Sequence, residues 1–553
     1  MKHGTAERIV TWALVATAAC SGDSTGPAPT CSSALASQLT LAIGAYASID
    51  PASDGGCVAF PANASVDSAE YLLVAQSATG TFGQSSPFQL RAATVTAAAP
   101  LAQRSDARSS PRATATRFDG MLRALGRAHA SGAASGRRAA PAAARALVAS
   151  TPPAVGSVRT FAVCATLDCT TFKKVSARAR VVGAHVAIYI DTLAPAGGLD
   201  SAHLDTLRQV FDTLLYPLDT ATFGSVSDLD ANGVVIALMT PVVNALVTKT
   251  ACGSGFIAGF FFPGDLDLSA SPDISNHGEV FYSIVADPTA TLSCAHTSGE
   301  VDSIAPGTFV HELQHMINYA QHVVLRAGSP EDGWLDEGLS KYAEEIAGRR
   351  YLALTPPDNG TFSLYAFNDV DDAYKYLSAT GASPLLIEFD QGTLAEVGAS
   401  WLFTRYLVDQ YGAALPGRLV QTTLAGAANV AAQTGHRFDT TVTRWALSNW
   451  VSDLPGFATP PELSDTSWHF RTRTFLSLYQ HDSTTFPVPY PLVPSASAGS
   501  AVSLSGTLRS GSGVYARALQ APGAPAFTLL FSGSGAGALP AAVVPRLNVI
   551  RIR

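Results

Sequence analysis

Apolar and polar positions recur along this chain with two different periods, and the change of period divides it. Residues 184–190 (AHVAIYI), 234–239, 255–262 and 279–286 are short apolar runs between turn residues, which predicts buried strands. Leu204, Leu207, Val210, Phe211, Leu214 and Leu215 recur at helical spacing behind Asp200, a residue suited to cap a helix. Further along, the period is helical. Phe309, Leu313, Ile317 and Ala320 form one stripe behind Pro306-Gly307. Trp334, Leu335, Leu339, Ala343 and Ile346 form another, predicted to start at Ser329-Pro330 and to end at Gly348. Residues 398–410 and 438–451 predict two more helices. The class expected is α+β, with a mixed sheet followed by a helical lower half.

On either side of this central region, 156–490, the pattern is weaker. Residues 31–95 and 491–553 carry short β-like runs among Ser and Gly, which predicts a small β-rich domain at each end. The tail domain is expected to pack against the central region or to bind a surface. Residues 96–155 are Ala- and Arg-rich and read as a linker or prosegment, with a helix conceivable near 116–130. Arg137-Arg138 in that stretch is either a maturation nick or part of a plain spacer.

The first residues set an expectation about compartment. Lys2 and Arg8 precede an apolar run over 9–19, long enough for a signal peptide and too short to span a bilayer. Residues 1–19 are therefore read as a signal peptide, and Cys20 resembles the lipidated first residue of a bacterial lipoprotein. Residues 20–30 then form a polar tether. The expectation is an exported outer-membrane or cell-surface lipoprotein held to the membrane through Cys20; soluble secretion is the alternative, because Thr17 departs from the usual box. Six further cysteines suit proximity pairing as Cys31–Cys57, Cys164–Cys169 and Cys252–Cys294, in keeping with an oxidising compartment. A net charge of −8 with 14% charged residues argues against nucleic acid as a partner.

The chemistry concentrates at HELQH, 311–315, and WLDEG, 334–338. His311 and His315, four apart on a helix, project from one face and can hold zinc, with Glu312 beside them to take a proton from the attacking water. Glu337, on the next helix, is placed to be the third ligand. A histidine pair on a solvated helix face is the bland alternative, but the apolar stripe through the motif says that the helix packs.

HExxH followed by a Glu on a second helix resembles the gluzincin peptidases. The words HELQHMINY and WLDEGLSKYAEE, with Ser275-Asn276 and Glu279-Val280-Phe281-Tyr282 upstream, look most like the hyicolysin family of bacterial secreted metallopeptidases. The resemblance covers roughly 180–450. It implies a zincin-like catalytic domain, zinc, endopeptidase activity on protein or peptide substrates, His311, His315 and Glu337 as ligands, and Glu312 as catalytic acid/base. Substrate would lie extended along an edge strand. The other readings are a catalytically inactive zinc-binding surface protein and an adhesin-like lipoprotein.

Several residues are weighed beside this set. A tyrosine to stabilise the oxyanion could be Tyr365, Tyr374, Tyr376, Tyr406 or Tyr411, with Tyr406 favoured by spacing alone. His322 reads as a surface or helix-end residue, too far along the axis to share the zinc. His277 and His296 have no ligand spacing. Asp228, Asp230 and Asn232 resemble the start of a calcium loop, but Met239 stands where the closing acid belongs, and Asn232-Gly233 reads more simply as a hairpin turn.

Overall fold

The computed structural model of the chain describes residues 31, 36–53, 55–93, 113–139, 151–387 and 393–553. The signal peptide, Cys20 and the tether lie outside the described residues. At 41% helix and 21% strand, neither type dominates, and the protein is of mixed α+β class.

The centre of the molecule is a six-stranded sheet. Its strands are β6 (Val158–Cys164), β7 (Phe172–Val182), β8 (Val186–Asp191), β9 (Val235–Met239), β10 (Gly259–Phe261) and β11 (Val280–Ser283), in the order β10-β11-β9-β8-β7-β6. Strands β8, β9 and β11 are parallel, and β10, β7 and β6 run antiparallel to their neighbours. The parallel strands are apolar runs because both faces are covered: every residue of VIALM in β9 is buried. The sheet is mixed, as the pattern predicts. Because β9 has parallel neighbours on both sides, Asn232-Gly233 is a turn but not a hairpin. Only Gly259–Phe261 of the run 255–262 is strand, and this short β10 forms one edge.

Helices follow and surround the sheet. Asp200 caps α2 (Ser201–Val210), accepting from the Ala202 and His203 amides at 2.9 and 3.0 Å. The helix carrying HELQH, α3 (Ser298–Tyr319), starts earlier than Pro306-Gly307 suggests. A reciprocal capping box between Thr297 and Glu300 sets its start, and Pro306 sits inside it. Helix α4 (Gly333–Leu352) begins after Asp332 instead of Ser329 and runs past Gly348, where a β-carbon would meet Tyr365 at 2.9 Å. That glycine permits close packing against α5 (Asn359–Ser378) and does not end the helix. Helices α6 (Leu394–Tyr411) and α7 (Phe438–Val451) complete the lower half; α7 has the predicted bounds.

The two β-rich ends are not separate domains. Strands β1 (Ser37–Gln38), β2 (Tyr46–Ile49), β3 (Cys57–Phe60), β4 (Ala69–Ser77) and β5 (Ser85–Ala92) interleave with β12 (Ser495–Ala498), β13 (Ser503–Arg509), β14 (Gly513–Gln520), β15 (Phe527–Ser532) and β16 (Pro545–Arg551). The sheets are β1-β3-β15-β5-β13 and β12-β14-β4-β16-β2, so each takes strands from both ends of the described chain. Between them lies one apolar core including Phe60, Leu73, Phe88, Leu504, Leu529 and Val549. The sandwich is docked on α7: the Tyr515 hydroxyl donates to the Ala446 carbonyl at 2.8 Å, and the Gln76 amide to the Val442 carbonyl at 3.1 Å.

Helix α1 (Ala113–Ala139) lies within the stretch read as a linker and contains the helix expected near 116–130. It lies against β10 and the end of α3, with Phe118 and Leu122 buried, and its span includes Arg137-Arg138. The three disulfides are Cys31–Cys57, Cys164–Cys169 and Cys252–Cys294, the pairs expected from proximity. Among the described residues no helix is long and apolar enough to cross a membrane.

Candidate metal centre

Helices α3 and α4 pack side by side and bring His311, His315 and Glu337 together, with one ligand atom from each within 4.8 Å of the others. All three are buried. The two Nε2 atoms stand 3.1 Å apart; Glu337 Oε2 is 3.8 Å from His311 Nε2, and its Oε1 is 3.6 Å from His315 Nε2. Ligand atoms held about 2.0–2.1 Å from a tetrahedral zinc stand roughly 3.3 Å from one another. The observed triangle is close to that figure. Glu337 Oε1 is buried without a hydrogen-bond partner, a state that a bound cation would relieve.

Both imidazoles are oriented by carboxylates behind them. His311 Nδ1 is 2.7 Å from Glu344 Oε1, and His315 Nδ1 is 3.0 Å from Asp336 Oδ2. A proton on each Nδ1 leaves the Nε2 lone pairs facing the common point, as metal-ligating histidines require. Asp336 is held by Asn318 and by Arg123 at 3.3 Å. Burial pushes toward a raised pKa at Asp336, but His315, Arg123 and Asn318 outweigh it and hold the carboxyl below its usual range. Burial, then Arg123, lowers His315 to about 3, so this ring is neutral and available to a cation at physiological pH. The sequence offers no ready sign of Glu344 or Asp336 in these roles, since acidic residues on an acidic helix are usually solvated.

Glu312 lies beside the triangle. Its Oε2 accepts from the Phe261 amide of β10 at 2.8 Å, which fixes the carboxylate against the edge strand. Burial raises its pKa to about 7, against the pull of Arg123. Burial likewise raises Glu337, to about 8, with Asp119 adding to the effect. An open cavity of about 320 Å³ leads to these groups, and His311, Glu312, Glu337, Lys341 and Gly259 help to line it.

The remaining candidates fall elsewhere. Tyr406 donates to the Glu462 carbonyl at 3.1 Å and Tyr374 to the Val488 carbonyl at 3.0 Å, while the Tyr376 hydroxyl pairs with Ser512. Tyr365 is buried, and none of these tyrosines, nor Tyr411, lines the cavity among the described residues. His322 is fully buried near Glu331, at 3.8 Å, instead of lying at the surface; it sits in a π-helical turn, Ala320–Val324, whose residues are all buried. His277 bonds the Ala270 carbonyl and His296 packs on Phe256; neither joins the triangle.

Asp228 and Asp230 do meet a third acid, Glu279, with ligand atoms within 4.8 Å. Asn232 lies beside them: its amide donates to Asp230, and its side-chain oxygen accepts from the Val234 amide. The Glu279 carboxylate is already served by Ser227 and by the Leu229 amide, and Asp230 by Arg159.

No protein-family model matches the chain, and no curated, characterised protein does.

Proposed function

We propose that this protein is an exported zinc-dependent endopeptidase of zincin-like architecture, as the resemblance to the hyicolysin family implies. The observation that carries the reading is a buried triangle of two carboxylate-oriented imidazoles and one orphaned carboxylate oxygen, with Glu312 beside it at an open cavity. His311, His315 and Glu337 would hold the ion. Zinc in that position acts as a Lewis acid and brings the pKa of a water toward neutrality. Glu312, anchored by the Phe261 amide, accepts the proton of the attacking water and returns it to the leaving amine. β10 is the edge strand next to Glu312, the element along which an extended peptide would lie. The disulfides agree with an oxidising compartment. Attachment through a lipid on Cys20 remains the proposal of the sequence.

The test measures zinc content and casein hydrolysis together. Zinc near one equivalent in wild type and Glu312→Gln, with hydrolysis lost in the latter, supports the reading. Absence of zinc from folded, zinc-supplemented protein overturns it.

A further inference from the structure

One guanidinium touches both halves of the candidate site, and it comes from α1, outside the span of 180–450 that carries the family resemblance. Arg123 is buried. Its Nη1 donates to Asp336 Oδ2 at 3.3 Å, and its Nη2 donates to the Phe261 carbonyl, also at 3.3 Å. The first contact holds the carboxylate whose Oδ2 stands 3.0 Å from His315 Nδ1. The second holds the residue whose amide donates to Glu312 at 2.8 Å. Arg123 is thus one bond removed from a metal ligand on one side and from the proposed proton acceptor on the other.

A guanidinium is a planar fork with fixed donor directions, so two acceptors that share it are held at a set spacing. Here the acceptors belong to α4 and β10, the helix that carries Glu337 and the strand that anchors Glu312. The pairing also matters for charge: a buried carboxylate such as Asp336 is costly unless a cation or donors meet it. Helix α1 is in turn seated on both sides of Arg123. Phe118 packs edge-to-face on Phe260 of β10, with ring centroids 5.2 Å apart, and Leu122 is fully buried. Beyond Arg123, the Gly126 carbonyl accepts from the Tyr319 hydroxyl at 3.1 Å, and a β-carbon at Gly126 would stand 3.3 Å from that ring. His129 and Asp267 pair at 3.0 Å.

We propose that Arg123 is a positioning residue of the candidate active site, acting through Asp336 on His315 and through the Phe261 backbone on Glu312, so that α1 is a working part of the catalytic unit. This rests on the metallopeptidase reading above. It gives a role to a helix in the stretch that reads as linker or prosegment. The contacts of α1 named here all lie at or before His129, so a nick at Arg137-Arg138 would leave them in place.

The experiment compares the full chain with its Arg123→Ala, Arg123→Lys and Leu122→Ala variants. It reads zinc affinity by competition with a chromophoric chelator and, on zinc-saturated protein, kcat and KM for casein. Arg123→Ala is expected to weaken zinc about 10–100-fold, the range for losing a group that orients a ligand, and to lower kcat at least tenfold with KM within about twofold. Arg123→Lys keeps the charge without the fork, and is expected to bind zinc more tightly than Arg123→Ala while its kcat stays at least tenfold below wild type. In an Asp336→Asn background the change in zinc affinity on Arg123→Ala is expected to shrink to within about twofold, because the path through Asp336 is already cut. Leu122→Ala, which loosens the helix but keeps the guanidinium, is expected to lower the thermal midpoint and leave zinc affinity within about twofold of wild type. Three results overturn the inference: Arg123→Ala matching wild type in either readout, a loss undiminished in the Asp336→Asn background, or an equal loss in Leu122→Ala. If Arg123→Ala does not fold, Arg123→Lys carries the comparison, and a kcat equal to wild type overturns it. If wild type binds no zinc, or His311→Ala binds it as tightly, the metallopeptidase reading itself has failed. If zinc depends on His311 but nothing responds to Arg123, only this inference has.

Discussion

Two groups of ligand-bearing side chains, one on α3 and α4 and one at the turn before β9 with Glu279, are built in opposite ways. His311, His315 and Glu337 are buried, their far sides are oriented by Glu344 and Asp336, and one carboxylate oxygen has no partner. In the second group Asp228 and Asp230 are exposed, and Asp228 accepts from the Gly233 amide, Asp230 from Asn232, and Glu279 from Ser227 and Leu229. The first group is unsatisfied without a cation; the second is a turn whose acids already have donors. Proximity of carboxylates is therefore the weaker criterion, and the hydrogen bonds left unmade are the stronger one.

The comparison can be broken most directly at the ligands. His315→Ala should abolish stoichiometric zinc, read by metal analysis of the folded protein, while Asp230→Ala should leave it intact. Glu312→Gln should keep its zinc and lose about 10²–10⁴-fold in hydrolysis, the range for a general base. Glu344→Gln, which only unsettles His311, should weaken zinc by about 10–100-fold in a competition titration with a chromophoric chelator. The same titration run against pH sharpens the point. Burial holds Glu337 protonated up to about 8 in the absence of metal, so binding must expel that proton. Affinity should accordingly fall as pH drops from 8 to 6, by up to about tenfold per unit for one proton. The smallest effect belongs to the second group: millimolar Ca²⁺ should move the thermal midpoint by less than about 1 °C, whereas zinc at 100 times its Kd should add about 2.7 kcal/mol. A larger calcium shift would show that the turn is a real site.

The parts legible in the sequence share a cause. HELQH and Glu337 sit on helices whose apolar stripes repeat every three or four residues, so their faces are fixed locally. Helix α7 is bounded as predicted for the same reason. The misplaced starts of α3 and α4 come from reading Pro306 and Pro330 as punctuation, when Thr297 with Glu300 and Asp332 mark the entries. The partners of the histidines were hidden because Asp336 and Glu344 are ordinary helix acids until α3 packs on them. Helix α1 was legible only over 116–130, where Phe118, Met121, Leu122 and Leu125 supply its large apolar residues; the flanking Ala- and Arg-rich residues carry no such signal. The sandwich was hidden because its pairing is almost wholly non-local: each half reads as a small domain, and nothing near β4 in sequence names β14 or β16 as its partner.

That last pairing also dictates an order of events during synthesis. Glu70 on β4 meets Arg517 on β14 across 447 residues of chain. At roughly 5–20 residues per second, β4 waits on the order of 20–90 s for the strands that cover it. AEYLLVAQS, buried along its whole length in the finished fold, is meanwhile an unpaired and adhesive segment. The middle of the chain can form its sheet and helices during that interval, so the sandwich closes last, over a central unit already made.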